Sequence, residues 1–199
     1  MNIVCLDLEG VLVPEIWIEV AKKTGIEALK RTTRDEPDYD VLMKYRMNIL
    51  KENDLKICDI QRTIAGMSPM DGALEFLDTL REKTQVMIIS DTFEQFAMPL
   101  MKKLKYPTIL CNTLSISKDG YIDGYTMRVP ETKKTTVKAL QALGYDTIAS
   151  GDSFNDLGMI RNSKAGFLFK STDAIKTSNP DIPAYETYEE LMSAIDRNL

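Results

Sequence analysis

The stretch whose reading decides the fold is the N-terminal "MNIVCLDLEGVLVP" (residues 1–14). Its apolar run "NIVCL" (2–6) is short and lacks polar alternation, as a strand covered on both faces should. The run ends in two carboxylates, Asp7 and Glu9, with Gly10 behind them. If the strand continued, alternation would send both acids the same way. Two acids beside a buried strand are costly unless a cation or a reaction needs them.

Further along, "QVMIIS" (85–90), "PTILC" (107–111), "DTIAS" (146–150) and "AGFLF" (165–169) repeat the same pattern. Amphipathic helical patterns lie between most of them: "GALEFLDTLREK" (72–83), "KKTTVKALQALG" (133–144) and the closing "TYEELMSAIDRNL" (187–199). Alternating β and α elements predict an α/β fold with a doubly wound parallel sheet. The segment 114–129 carries turn signals at Asp119-Gly120 and Asp123-Gly124, which predict a short antiparallel hairpin. Only the region between the first strand and Pro69 breaks the alternation. There "PEIWIEVAKKTG" (14–25), with Pro14 at the helix start and Gly25 at its end, precedes "DYDVLMKYRMNILKEN" (38–53) and "DIQRTIAG" (59–66). A small helical subdomain inserted directly after the first strand is expected.

The composition excludes several classes of function. A chain of 199 residues suits one α/β domain, or a core with a modest insert. Hydrophobic content of 44% supports a proper core, and a net charge of −5 without a basic block argues against nucleic acid. No apolar run approaches membrane-spanning length, and no basic leader precedes Asp7, so neither a membrane anchor nor a secretory signal is expected. Cys5, Cys58 and Cys111 are odd in number and far apart, which reads as reduced thiols in a cytoplasmic protein. Histidine is absent. That removes most zinc sites and every His-based triad, and leaves acid–base chemistry mainly to carboxylates.

Four features then occur in order at strand or helix boundaries. "DLEG" (7–10) follows the first strand, and Ser90, Asp91 and Thr92 follow the second. Lys133 and Lys134 open a helix, and "GDSFND" (151–156) follows a later strand. In an open α/β sheet such groups gather at the carboxyl ends of the strands, so all four can converge on one crevice. Singly each has a bland reading: solvated acids at a turn, a helix cap, a surface lysine pair. Together they make a site for a divalent metal and a phosphoryl group. Oxygen-only ligands suit Mg²⁺, which pairs with phosphate. Ser90 and Lys133 would bind phosphoryl oxygens, and Glu9 lies close enough in sequence to protonate a leaving alkoxide.

The set resembles the haloacid dehalogenase superfamily over the whole chain: a nucleophilic Asp, a second acid two residues on, a Ser or Thr, a Lys, and "GDxxxD". "GDSFND" with the following "LGMI" is similar to the phosphoserine phosphatase branch. Glu9 where most of that branch has Asp, "SDTF" where "SGGF" is common, and "TTRDEPDYD" (32–40) resemble its bifunctional phosphoserine phosphatase/phosphoserine:homoserine phosphotransferase subgroup. The resemblance implies a Rossmann-like core (1–14 and 69–199) and a helical cap (15–68). It implies Asp7 as nucleophile and Glu9 as general acid and base. Phosphate would be bound by Ser90, Asp91, Thr92, Lys133 and Asn155. Mg²⁺ would be held by Asp7, the Glu9 backbone carbonyl and Asp152, with Asp156 behind them. In the cap, Arg46 would take the substrate carboxylate, with Arg34 as its substitute, and Glu15 the ammonium.

Partners implied are small molecules (phosphoserine, homoserine and water), with no nucleic acid and no membrane, and a dimer is compatible with the chain. Core motifs do not choose the substrate, so a phosphatase for another small monoester is the rival within the enzyme reading. A catalytically dead binding module on the same fold is opposed by the intact nucleophile, acid, lysine and metal acids. A phospho-receiver domain shares Asp, Ser/Thr, Lys and Mg²⁺, but its phosphorylated Asp follows a later strand and it carries no helical insert.

Overall fold

The computed structural model describes residues 1–33, 35–36 and 38–199. β1 (Asn2–Leu6) lies near the middle of a seven-stranded sheet with β2 (Gln85–Phe93), β3 (Ile109–Ile116), β4 (Ile122–Thr126), β5 (Asp146–Gly151), β6 (Ala165–Phe169) and β7 (Ala184–Tyr185), ordered β4-β3-β2-β1-β5-β6-β7. Every pairing is parallel except β3 with β4. β1 has β2 on one side and β5 on the other, so the chain order reverses there. Crevices open at such reversals, beyond the carboxyl ends of the strands.

Side-chain alternation feeds two cores. Val4, Leu6, Ile88, Ile148, Phe167 and Phe169 pack on one face with α4 (Ala73–Lys83), α5 (Glu94–Met101) and α9 (Tyr188–Asp196). Ile3, Cys5, Ile89, Ala149 and Leu168 pack on the other with α6 (Thr132–Ala142), α7 (Leu157–Asn162) and α8 (Asp173–Ser178). Burial on both faces is why these strands read as continuous apolar runs.

Between β1 and α4 the chain forms α1 (Ile16–Thr24), α2 (Tyr39–Glu52) and α3 (Ile57–Ala65). Their buried residues, among them Val20, Met43, Leu50, Ile60 and Ile64, and Leu29 of the short turn of helix Glu27–Lys30, join the first core without a break. Each such side chain contributes about 1.5–3 kcal/mol by leaving water. The two chain crossings between cap and core are tied together, Met70 N–H donating to Leu12 O at 2.9 Å. The β3–β4 hairpin straps the cap from the outside: Ile57 N–H donates to Gly120 O at 2.9 Å, and the hydroxyls of Tyr125 and Tyr121 donate to Asp40 and Asp54.

Several local expectations need correction. β2 does not stop at Ser90 but runs to Phe93, with a register shift against β3 between Ile89 and Phe93. "SDT" therefore sits in an irregular stretch of a strand, a common place for functional groups. Asp119-Gly120 makes the hairpin turn, Gly120 N–H donating to Ser117 O at 2.9 Å, but Asp123-Gly124 lies inside β4. On this edge strand Asp123 points to solvent, so the Asp-Gly pair does not bend the chain. Strand β7, two residues long, carries no sequence signal at all. The three cysteines are free, and among the described residues no helix is long and apolar enough to cross a membrane.

Candidate active site

Asp7 leaves the end of β1 with its backbone N–H still bonded to Ser150 O of β5 at 3.0 Å, which fixes its direction. Its Oδ1 accepts from Leu8 N–H at 2.7 Å, and its Oδ2 lies 3.0 Å from Lys133 Nζ at the start of α6. Both side chains are buried. Burial pushes the Asp7 carboxyl well above the usual carboxylate range, while Lys133 pulls it back. For Lys133 burial works against the charge, but Asp156 and Asp7 outweigh it and raise its pKa.

The loop after β5 is organised around Asp156, which is fully buried. Its Oδ2 accepts from the N–H groups of Asp152 and Ser153 at 3.0 and 2.9 Å, and its Oδ1 pairs with Lys133 Nζ. A Cβ on Gly151 would sit 2.2 Å from Asp156 Cγ, so only glycine admits this loop. Gly10 plays the same part on the opposite wall. It has φ +76°, and a Cβ there would come within 2.4 Å of Asp152 Cγ. One oxygen from each of Asp7, Asp152 and Asp156 falls within 4.8 Å of the others. Burial, and Asp156 after it, push the Asp152 carboxyl up to about 7. Crowded, desolvated carboxylates of this kind suit a hard divalent cation, and Asp156 already spends its oxygens on the loop and Lys133.

Ser90 and Thr92 are buried beside this cluster, and Thr92 N–H donates to Ser90 Oγ at 3.2 Å. Asp91 Oδ2 accepts from Asn155 Nδ2 at 2.8 Å and lies 3.9 Å from Lys133 Nζ. Sequence reasoning missed Asn112, whose Nδ2 donates to Asp91 O at 3.0 Å and whose Oδ1 accepts from Arg128 N–H at 2.9 Å. A lone amide in the apolar run "TILCNTL" was the available signal, since a buried polar group must be doing something specific.

These groups open into a cavity of about 140 Å³ roofed by the cap and lined by Asp7, Glu9, Ser90, Lys133, Glu15 and Arg46, among others. Glu9 Oε2 accepts from Ile16 N–H at 2.8 Å; burial raises its pKa, with the Ile16 N–H and the Thr92 hydroxyl opposing. Arg46, on α2, is buried, and burial lowers its pKa to about 10. Its guanidinium lies 4.5 Å from the Trp17 ring centroid, and one nitrogen donates to Arg31 O at 2.8 Å. Its Nε has no hydrogen-bond partner among the described residues. Glu15 stands at the N-cap of α1 and makes no side-chain cap bond there. Trp17, Thr32, Thr33, Tyr39 and Ser153 also line the cavity; the last four lie within "TTRDEPDYD" and "GDSFND", but sequence reasoning assigned none of the five an individual role. Arg34 lies outside the described residues.

The class follows from sheet and sequence together. A family model, that of the haloacid dehalogenase-like hydrolases, matches residues 1–164, and the chain belongs to that family. Phosphoserine phosphatase ThrH of Pseudomonas aeruginosa is 53% identical over 191 residues, spanning 96% of this chain and 93% of that protein. A phosphoserine phosphatase of Pseudomonas syringae pv. tomato is 50% identical over 191 residues, spanning 96% and 81%. Among solved structures, one described as a phospho-aspartyl intermediate analogue of phosphoserine phosphatase matches with a TM-score of 0.80 at 20% identity, covering 97% of this chain and 98% of that one. That last likeness concerns the fold.

Proposed function

We propose that this chain is a cytoplasmic, Mg²⁺-dependent phosphoserine phosphatase working through an aspartyl phosphate on Asp7, and that homoserine competes with water for that intermediate. The observation that carries the reading is the buried Asp7, held 3.0 Å from Lys133 and opening into the same cavity as Arg46 and Glu15. A phosphate at Asp7 would place a short amino acid's carboxylate toward Arg46 and its ammonium toward Glu15. The capped cavity favours a small ester over a phosphoprotein. Two relatives at 50% identity or more named phosphoserine phosphatase support the substrate class.

Asp7 and Asp152, with the Glu9 carbonyl, would hold the cation, which supplies charge neutralisation between Asp7 and the incoming phosphate. An Asp7 oxygen attacks phosphorus, and the P–O bond to the serine oxygen breaks as Glu9 delivers its proton there. Lys133 and Ser90 hold the phosphoryl oxygens, where charge must be carried through the transfer. In the second half Glu9 takes a proton from water or from the homoserine hydroxyl. That oxygen attacks phosphorus and releases Asp7. Asn155 holds Asp91, and Asp156 holds Lys133 and the loop, so both act by placement.

The experiment is phosphate release from a panel of small phosphate esters with Mg²⁺ or chelator, with products followed by NMR as homoserine is raised at fixed phosphoserine. Phosphoserine should be the preferred ester, and O-phosphohomoserine should appear while phosphate per serine falls. Phosphate and serine released one to one at saturating homoserine would leave a plain phosphatase. Preference for another ester would overturn the substrate assignment.

A further inference from the structure

Among the described residues, the backbone of the cap reaches Glu9 at Ile16. After β1 the chain turns tightly: Leu12 N–H and Val13 N–H both donate to Leu8 O at 2.8 and 3.0 Å, and Gly10 N–H donates to Val13 O at 2.8 Å. The turn returns the start of α1 to Glu9, whose Oε2 accepts the Ile16 N–H at 2.8 Å. The N–H groups of a helix's first turn have no partner within the helix and usually find one in the N-cap side chain. Here the N-cap residue Glu15 supplies none, and Glu9, seven residues upstream, serves instead.

We propose that the Ile16 N–H is a positioning group for Glu9: it fixes Oε2 from the cap side while the Thr92 hydroxyl holds the carboxyl from the core, so the acid is fully aimed only while the cap helix is docked. The proposal rests on the reading of Glu9 as general acid. It also explains the length of the side chain. An aspartate at position 9 would draw its carboxylate back by about 1.5 Å, one carbon–carbon bond, and lose the Ile16 N–H. Cap and acid are thereby coupled through a backbone hydrogen bond.

Because the donor is a backbone group, proline removes it. The first turn of a helix tolerates proline, and Glu15, at φ −58° and ψ 117°, has the extended conformation that a following proline requires. Ile16→Ala is the control, since it removes the buried side chain and keeps the N–H. The measurement is kcat/KM for phosphoserine and for p-nitrophenyl phosphate, because kcat/KM reports the first transfer step. Serine alkoxide needs a proton to leave and nitrophenolate does not. General acid catalysis supplies about 10²–10⁴-fold. A misaimed acid should therefore lower phosphoserine kcat/KM about tenfold or more in Ile16→Pro relative to Ile16→Ala, with p-nitrophenyl phosphate nearly unchanged between them.

Glu9→Asp, which keeps the acid and loses the reach, should show the same selective loss. If Ile16→Pro does not fold, as judged by its thermal unfolding, Glu9→Asp decides, and undiminished phosphoserine turnover in it overturns the proposal. Equal behaviour of Ile16→Pro and Ile16→Ala on both esters overturns it too. Glu9→Gln separates the two layers. Equal losses on both esters there would remove Glu9 as the general acid. A selective loss in Glu9→Gln, with none in Ile16→Pro beyond the alanine control, would remove only the positioning role.

Discussion

Lys133 Nζ stands 3.0 Å from Asp7 Oδ2 and also pairs with Asp156, all three side chains being buried. One cation thus answers two buried carboxylates. Lys133→Met should leave both acids without their partner. Removing one side of a buried ion pair costs about 3–5 kcal/mol. We expect a lower unfolding temperature and loss of turnover, with part of the lost stability returned by Mg²⁺. Unchanged unfolding by calorimetry without metal would show that the pair contributes nothing to the fold.

Asp7→Asn should abolish turnover and keep the fold. The amide is nearly isosteric with the acid but a poor nucleophile. It ends the cost of burying the charge and the repulsion from Asp156 and Asp152, and Lys133, though it loses Asp7, keeps its pair with Asp156. Stability should rise or hold while phosphate release falls to background. Turnover near wild type in a clean preparation would end the aspartyl-phosphate reading.

Arg46→Ala should raise KM for phosphoserine and leave esters without a carboxylate nearly untouched. Truncating one side of a desolvated charge pair costs about 2–5 kcal/mol in binding. Equal kinetics for phosphoserine in variant and wild type would free Arg46 from substrate binding and leave it as the partner of Trp17 and Arg31 O.

Gly151→Ala should damage fold and activity together. The added Cβ would meet Asp156 Cγ at 2.2 Å and force the carboxylate off Lys133 and off the N–H groups of Asp152 and Ser153. Overpacking of this kind costs about 1–3 kcal/mol. An unfolding temperature equal to wild type would mean that the loop yields freely.

The doubly wound sheet was legible because β1, β2, β5 and β6 are covered on both faces, so burial writes itself as unbroken apolar runs. The acids and the serine were legible for a related reason: each stands where such a run ends, and the lysine stands where a helix opens. Trp17, Tyr39 and Thr32 were not, because they reach the cavity through packing of cap helices whose mutual placement no local pattern encodes. Asn112 was hidden by sitting in a strand. Asp123-Gly124 misled because the same dipeptide that bends one end of the hairpin is harmless on an exposed edge.

Trp17 is the chain's single tryptophan, and it lines the cavity with its ring under the Arg46 guanidinium and edge-on to Phe96. All indole emission from this protein therefore originates in the wall of the candidate site. A ligand that draws the guanidinium toward itself alters the field at that ring, so binding is optically self-reported. Titrations can be followed in the unlabelled protein, and an inactive Asp7→Asn variant lets occupancy be watched without turnover.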